Sequence, residues 1–244
     1  MTTDKFFLMK LTHYTSSIET IIKILNNGFA WFPNKRELIQ HLIPFHDFSK
    51  REPQQFGMIS FTELSPECSA KVRNDFGDYG IMVSNEWAIS QKIQKVLYID
   101  NKGPVFESLQ KLFQYGYGDL ICKSLIREDM VSPRFFTNKV ISDIQRAYLY
   151  SKLLQIYEYM EPLKNSYQQE WRIANPDPLY GFKETKQEVI KNVSPPKGWA
   201  KVVNLLKAEH RDVMSFVCPE SEINLLKSTL PKIYKNKPII GIRS

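Results

Sequence analysis

The chain has 244 residues, of which 43% are hydrophobic, 24% charged and 13% aromatic, a composition that excludes a disordered protein and leaves room for a sizeable core. A formal charge of +7 admits an anionic partner, nucleic acid or nucleotide, without demanding one, because a solvated lysine excess gives the same number. No apolar run is long enough to span a bilayer and "MTTDKFFLMK" lacks the basic-then-apolar layout of a signal peptide, so a cytoplasmic protein with no membrane partner is expected.

Cys68, Cys122 and Cys218 are scattered, with no C-x-x-C pairing, and read as reduced, buried small hydrophobes. His13, His41, His46 and His210 form no metal-spaced cluster with them, so no metal site is expected.

In chain order, "KFFLMKL" predicts a buried strand near 6–12. Ser16 and Glu19 follow at capping-box spacing, and Ile18, Ile21, Ile22 and Leu25 then form one apolar face of a helix around 17–27 that Gly28 terminates. His13, Tyr14 and Thr15 thus occupy a strand-to-helix junction, where side chains project into clefts and the helix start favours anions. His13 is therefore expected to line a concave pocket.

Residues 30–56 are polar and broken by prolines, with the length of a lid or binding loop. "GMISFT" predicts a strand at 57–62 and "YGIMV" one at 80–83. Ser84 then caps a helix at 85–92 that carries Trp87, and "KVLYID" gives a strand at 96–99. Helical spacing dominates from 105 to 160, with helices around 105–115 and 141–160, forming a central insertion at about 104–165. "EWRIAN" reads as a strand at 169–174, whose alternation puts Glu170 and Arg172 on one face and Trp171 inside. "DVMSFVC" makes a strand at 213–218. Pro219 opens a helix at 220–230, and "KPIIGIR" ends the chain as a strand at 238–242. The sum is one α+β domain over 1–244, a mixed or split β-sheet core surrounded by helices.

Four polar groups sit on strands or strand ends: His13-Tyr14-Thr15, Ser60-Phe61-Thr62, Tyr79-Gly80 and Glu170-Trp171-Arg172. Each alone has a structural explanation, such as a hydrogen-bonded strand-end histidine or a cross-strand ion pair. In this order, as "HYTSSIETIIKILNNGF", "ISFTELSP", "DYGIMVSNEWAI" and "EWRIA", they resemble the AbiGi-type proteins of bacterial abortive phage infection. The resemblance covers roughly the first 100 residues and the segment near 170. That family often has a further histidine before the "YG" strand, where this chain has "RNDFGDYG". The layout is similar, more distantly, to the ADP-ribosyltransferase fold, in which an early His binds NAD and a late strand-borne Glu does the chemistry.

These resemblances imply an antiviral-defence protein of a toxin–antitoxin system, an NAD-dependent ADP-ribosyltransferase-like effector with NAD as substrate. Cleaving the nicotinamide–ribose bond builds an oxocarbenium-like ribose that a fixed carboxylate stabilises. Glu170 is the implied catalytic carboxylate and His13 its partner. The NAD-binding set would be His13, Tyr14, Thr15, Ser60, Thr62, Tyr79 and Arg172, with a tyrosine stacked on the nicotinamide and Arg172 on the pyrophosphate. The acceptor would be a nucleic acid or a protein. AbiGi-type proteins are described as antitoxin partners of nucleotidyltransferase-type toxins, so the alternative is a non-catalytic binding partner of a cognate toxin or a phage protein. An enzyme requires His13 and Glu170 to converge in one open cleft, and a binder does not.

Overall fold

The computed structural model describes residues 10–33, 38, 42, 57–121, 152–153, 155–157, 159–174 and 205–243. Residues 6–9 of the first expected strand, most of the 30–56 stretch, residues 141–151 of the expected fourth helix, and Cys122 lie outside them. In chain order the strands are β1 (Leu11–Thr15), β2 (Phe32–Pro33), β3 (Gly57–Thr62), β4 (Tyr79–Val83), β5 (Gln94–Lys95), β6 (Leu97–Ile99), β7 (Met160–Pro162), β8 (Glu170–Ala174), β9 (Val213–Pro219) and β10 (Ile239–Ile242). The helices are α1 (Ile18–Asn27), α2 (Ala70–Phe76), α3 (Asn85–Ser90), α4 (Pro104–Ile121) and α5 (Ile223–Thr229).

Eight strands form one sheet in the order β10-β9-β4-β1-β3-β8-β5, with β2 also paired to β3. Only β10 and β9 run parallel within it. β1 is central and pairs along its whole length with β4, from Leu11 opposite Val83 to Thr15 opposite Tyr79. Against β3 it pairs only where Thr12 faces Thr62. The sheet therefore begins to split beyond that point, in keeping with a mixed sheet core. β6 and β7 form a separate parallel pair.

Strand alternation sends Leu11, Ile59, Phe61, Ile81, Val83 and Phe216 to one face, where α1 and α3 bury Ile18, Ile21, Trp87 and Ala88 against them. This is the main core. On the other face Tyr14, Met82 and Val217 pack with Val72 of α2 and Ile242. A third cluster joins Phe106 and Phe113 of α4 to Leu38, Leu42, Leu153, Tyr157 and Met160 beside the β6–β7 pair.

Local chemistry explains most boundaries. Ser17 caps α1, its hydroxyl accepting the Thr20 amide at 3.3 Å, so the cap sits one residue after the expected Ser16. Gly28 ends α1 with φ 108°, although ψ 171° takes it out of the left-handed helical region. Ser84 caps α3 as expected, accepting the Trp87 amide at 3.1 Å. β1 runs to Thr15 and α1 begins at Ile18, so His13, Tyr14 and Thr15 are the last three residues of the strand before the turn into the helix. α2 was not expected; its segment reads as the turn following "SP". Cys218 is buried, whereas Cys68 is exposed, against the expectation for it.

Candidate functional site

The sequence-predicted residues fall into groups on the two faces of the sheet. Ser60 faces Arg172 and Thr62 faces Glu170 across the β3–β8 ladder, so these four share one face. Glu170 is 6% and Arg172 1% exposed. The guanidinium grips the carboxylate at two points, with Nε donating to Oε1 at 3.0 Å and Nη2 to Oε2 at 2.9 Å. The same Nη2 donates to Oε1 of Glu161, on β7, at 2.6 Å. The Ser60 side chain, on the same face, also favours the charged form of Glu170.

One guanidinium thus serves two carboxylates in a nearly water-free place. Burial pushes Glu170 above the usual carboxylate range, Arg172 and Ser60 oppose that shift, and Glu161 adds to it. Burial works against the Arg172 charge as well, but Glu170 and Glu161 outweigh it and hold its pKa above the ordinary value. Tyr98 of β6 completes the group. Its hydroxyl accepts the Glu170 backbone N–H at 2.6 Å, and burial, chiefly, drives its pKa up to about 12.

Sequence reasoning missed Glu161 and Tyr98. Glu161 lies one residue past a segment whose periodicity reads as helix, and nothing in its neighbourhood marks it as the far end of an ion pair. The only signal for Tyr98 is a hydroxyl within the apolar run "VLYI".

His13 lies on the opposite face. Its ring meets Phe29 edge-on at 5.1 Å and Phe61 at 5.7 Å, both members of the main core. Nδ1 hydrogen-bonds the Ser60 carbonyl at 2.8 Å, meeting a backbone group of β3 beyond the Thr12–Thr62 pair, where β1 and β3 have parted. The ring is half-buried, and burial lowers its pKa while the Ser60 bond partly counters this. The register of β1, β3 and β8 puts His13 and Glu170 on opposite faces of the sheet, with Ser60 of β3 beside both.

The remaining predicted residues are engaged in other contacts. Tyr14 shares Glu170's face but is buried, its hydroxyl 2.7 Å from Ser69 Oγ on the α2 side. Thr15 is buried at the far end of β1. Opposite it, Tyr79 has its pKa raised to about 12, chiefly by burial, with the nearby Glu222 carboxylate adding to the shift. Thr62 donates to the Gln168 carbonyl at 2.6 Å and accepts the Leu64 amide, which makes it a turn anchor. Trp171 points away from Glu170 and donates its indole N–H to Glu63 at 2.9 Å, beside the Glu63–Lys95 ion pair.

Chemically, Glu170 is a buried carboxylate each of whose oxygens already accepts one bond from Arg172. Burial and that grip leave an incoming hydroxyl little access to it. A comparison with protein-family models, curated protein sequences and solved structures gives no match for this chain.

Proposed function

We propose that this chain serves bacterial anti-phage defence, of the abortive-infection kind that its motifs resemble, as a non-catalytic partner of a cognate toxin or phage protein. The observation that carries this reading is the double grip of buried Arg172 on Glu170, on the face of the sheet turned away from His13. A carboxylate so engaged orders a fold; leaving it without its cation would cost about 3–5 kcal/mol. Ser60, Thr62, Glu170 and Arg172 then hold β3 to β8, and His13 fills the split between β1 and β3.

A second reading, the NAD-dependent ADP-ribosyltransferase, is favoured by one observation. Ser60 accepts a bond from the His13 ring at its carbonyl and its side chain favours the charged form of Glu170, so the stretches that carry the resemblance meet at a single residue. In that reading Arg172 would swing from Glu170 to the NAD pyrophosphate.

Purified protein incubated with NAD decides between them. The binding reading expects nicotinamide release no faster than in buffer, and unchanged phage protection by a folded Glu170→Gln variant. Release that falls by about 10²–10³-fold in Glu170→Gln, with the fold retained by circular dichroism, would establish the enzyme and overturn the binder.

A further inference from the structure

The excess positive charge is not spread evenly. Residues 223–244 hold Lys227, Lys232, Lys235, Lys237 and Arg243 and no acidic residue, against +7 for the whole chain. The fold compresses three of them. After α5 a 3-10 turn spans Lys232–Tyr234, the Lys235 amide bonds the Lys232 carbonyl at 3.3 Å, and the Lys237 amide bonds the Tyr234 carbonyl at 3.0 Å. Lys232, Lys235 and Lys237 therefore all lie on two consecutive tight turns, with Lys227 in the last turn of α5 just before them.

Lys227, Lys232 and Lys235 are exposed and Lys237 is half-buried, and none of the four takes part in an ion pair among the described residues. Arg243, 91% exposed, approaches Glu220 only at 4.0 Å. Lys227 has a local purpose, since a cation near a helix C-terminus offsets the dipole. The other lysines have no such partner, and holding like charges in one turn costs free energy unless an anion shares the place.

We propose that this turn is a phosphate-contacting surface for a nucleic-acid duplex, read without regard to sequence. Lysines supply point charges for phosphates and lack the planar fork that reads base edges. Tyr234, the one aromatic residue of 223–244, is 4% exposed, so the segment offers no platform for unstacked bases. That favours a duplex over a single strand. The inference stands on other residues than the proposed function, and either one holds without the other.

The test is fluorescence anisotropy with a fluorescein-labelled 24-base-pair DNA duplex of arbitrary sequence, titrated with the full chain at several salt concentrations. Wild type is expected to bind with a log K versus log salt slope of about −3 or steeper. The triple variant Lys232→Gln/Lys235→Gln/Lys237→Gln, with unchanged melting temperature, is expected to lose at least about 10-fold in affinity and most of that slope. A charge-matched control, Lys23→Gln/Lys102→Gln/Lys111→Gln, neutralises exposed lysines elsewhere and is expected to keep affinity within about 2-fold. An equal loss in both variants, tighter binding of single strands, or tighter binding of poly-glutamate than of the duplex would each overturn the proposal.

Discussion

His13 illustrates how one side chain can look functional in sequence and serve the fold in space. It sits where β1 leaves β3, and its Nδ1 meets a carbonyl that would otherwise lack a strand partner there. Removing the ring would orphan that carbonyl and open space beside Phe29 and Phe61, so His13→Ala should cost about 2–3 kcal/mol at neutral pH. The cost should depend on pH. An unfolded histidine titrates near about 6.5, and the folded His13 titrates lower because burial disfavours its charge. Above that value both states hold the neutral ring and its contribution is complete. As pH falls through about 6.5 the unfolded state takes the proton first, so stability drains away until the folded pKa is passed. Urea unfolding of wild type and His13→Ala at pH 7.5 and 5 should show the difference between them shrinking. A difference that stays constant over that range would mean the folded ring titrates as it does unfolded.

At the scale of elements, the join between α2 and β4 depends on Gly77. Its φ is 109°, and a Cβ placed there would lie 2.3 Å from the Thr15 carbonyl oxygen, a backbone atom of β1. Neither the backbone of Gly77 nor its neighbour can yield without disturbing the β1–β4 ladder. Gly77→Ala is therefore expected to destabilise by about 2–4 kcal/mol. Gly103 provides the contrast, because nothing lies nearer than 3.4 Å to its added Cβ, and Gly103→Ala should change stability by no more than about 0.5 kcal/mol. Thermal melts of both variants check the pair, and similar melting temperatures would show that the α2–β4 join adapts. The sequence shows the reason for neither outcome. Gly77 precedes Asp78 and reads as an ordinary turn glycine, and the crowding comes from a strand more than 60 residues earlier.

Among the described residues, the main sheet and the β6–β7 pair pack on separate apolar clusters. The sheet buries apolar side chains on both faces, whereas the β6–β7 pair rests with α4 on its own cluster around Phe106, Phe113 and Tyr157. Among the described residues, the links between them include the Arg172–Glu161 ion pair and two tyrosine hydroxyls, Tyr98 on the Glu170 amide and Tyr159 on the Ala174 amide. Directional links of this kind break at small displacements, so the β6–β7 pair should open first. Hydrogen exchange should run at least about 10-fold faster at Tyr98 and Ile99 in β6 than at Ile81, Met82 and Val83 in β4. Equal protection would mean that the pair and the sheet unfold together.

Much of this architecture is local, and the sequence by itself determined that part. The apolar spacing of Ile18 to Leu25, the Ser84 cap of α3, and the alternation of "GMISFT", "YGIMV" and "EWRIA" rest on contacts between residues a few positions apart, whereas the α1 cap falls on Ser17 and not on the expected Ser16. Those features yielded an α+β arrangement with a mixed sheet, and correctly put Glu170 and Arg172 on one face with Trp171 on the other, but the strand expected at 96–99 pairs with β7 outside that sheet. Register between distant strands is a different quantity. Alternation says which residues share a face within a strand, yet a shift of one position between strands exchanges the faces. Only the tertiary pairing of Thr12 with Thr62, and of Thr62 with Glu170, decided that His13 and Glu170 sit on opposite sides. The partners of Arg172 were hidden for the same reason: Glu161 and Tyr98 arrive from the β6–β7 pair, whose docking no local pattern encodes.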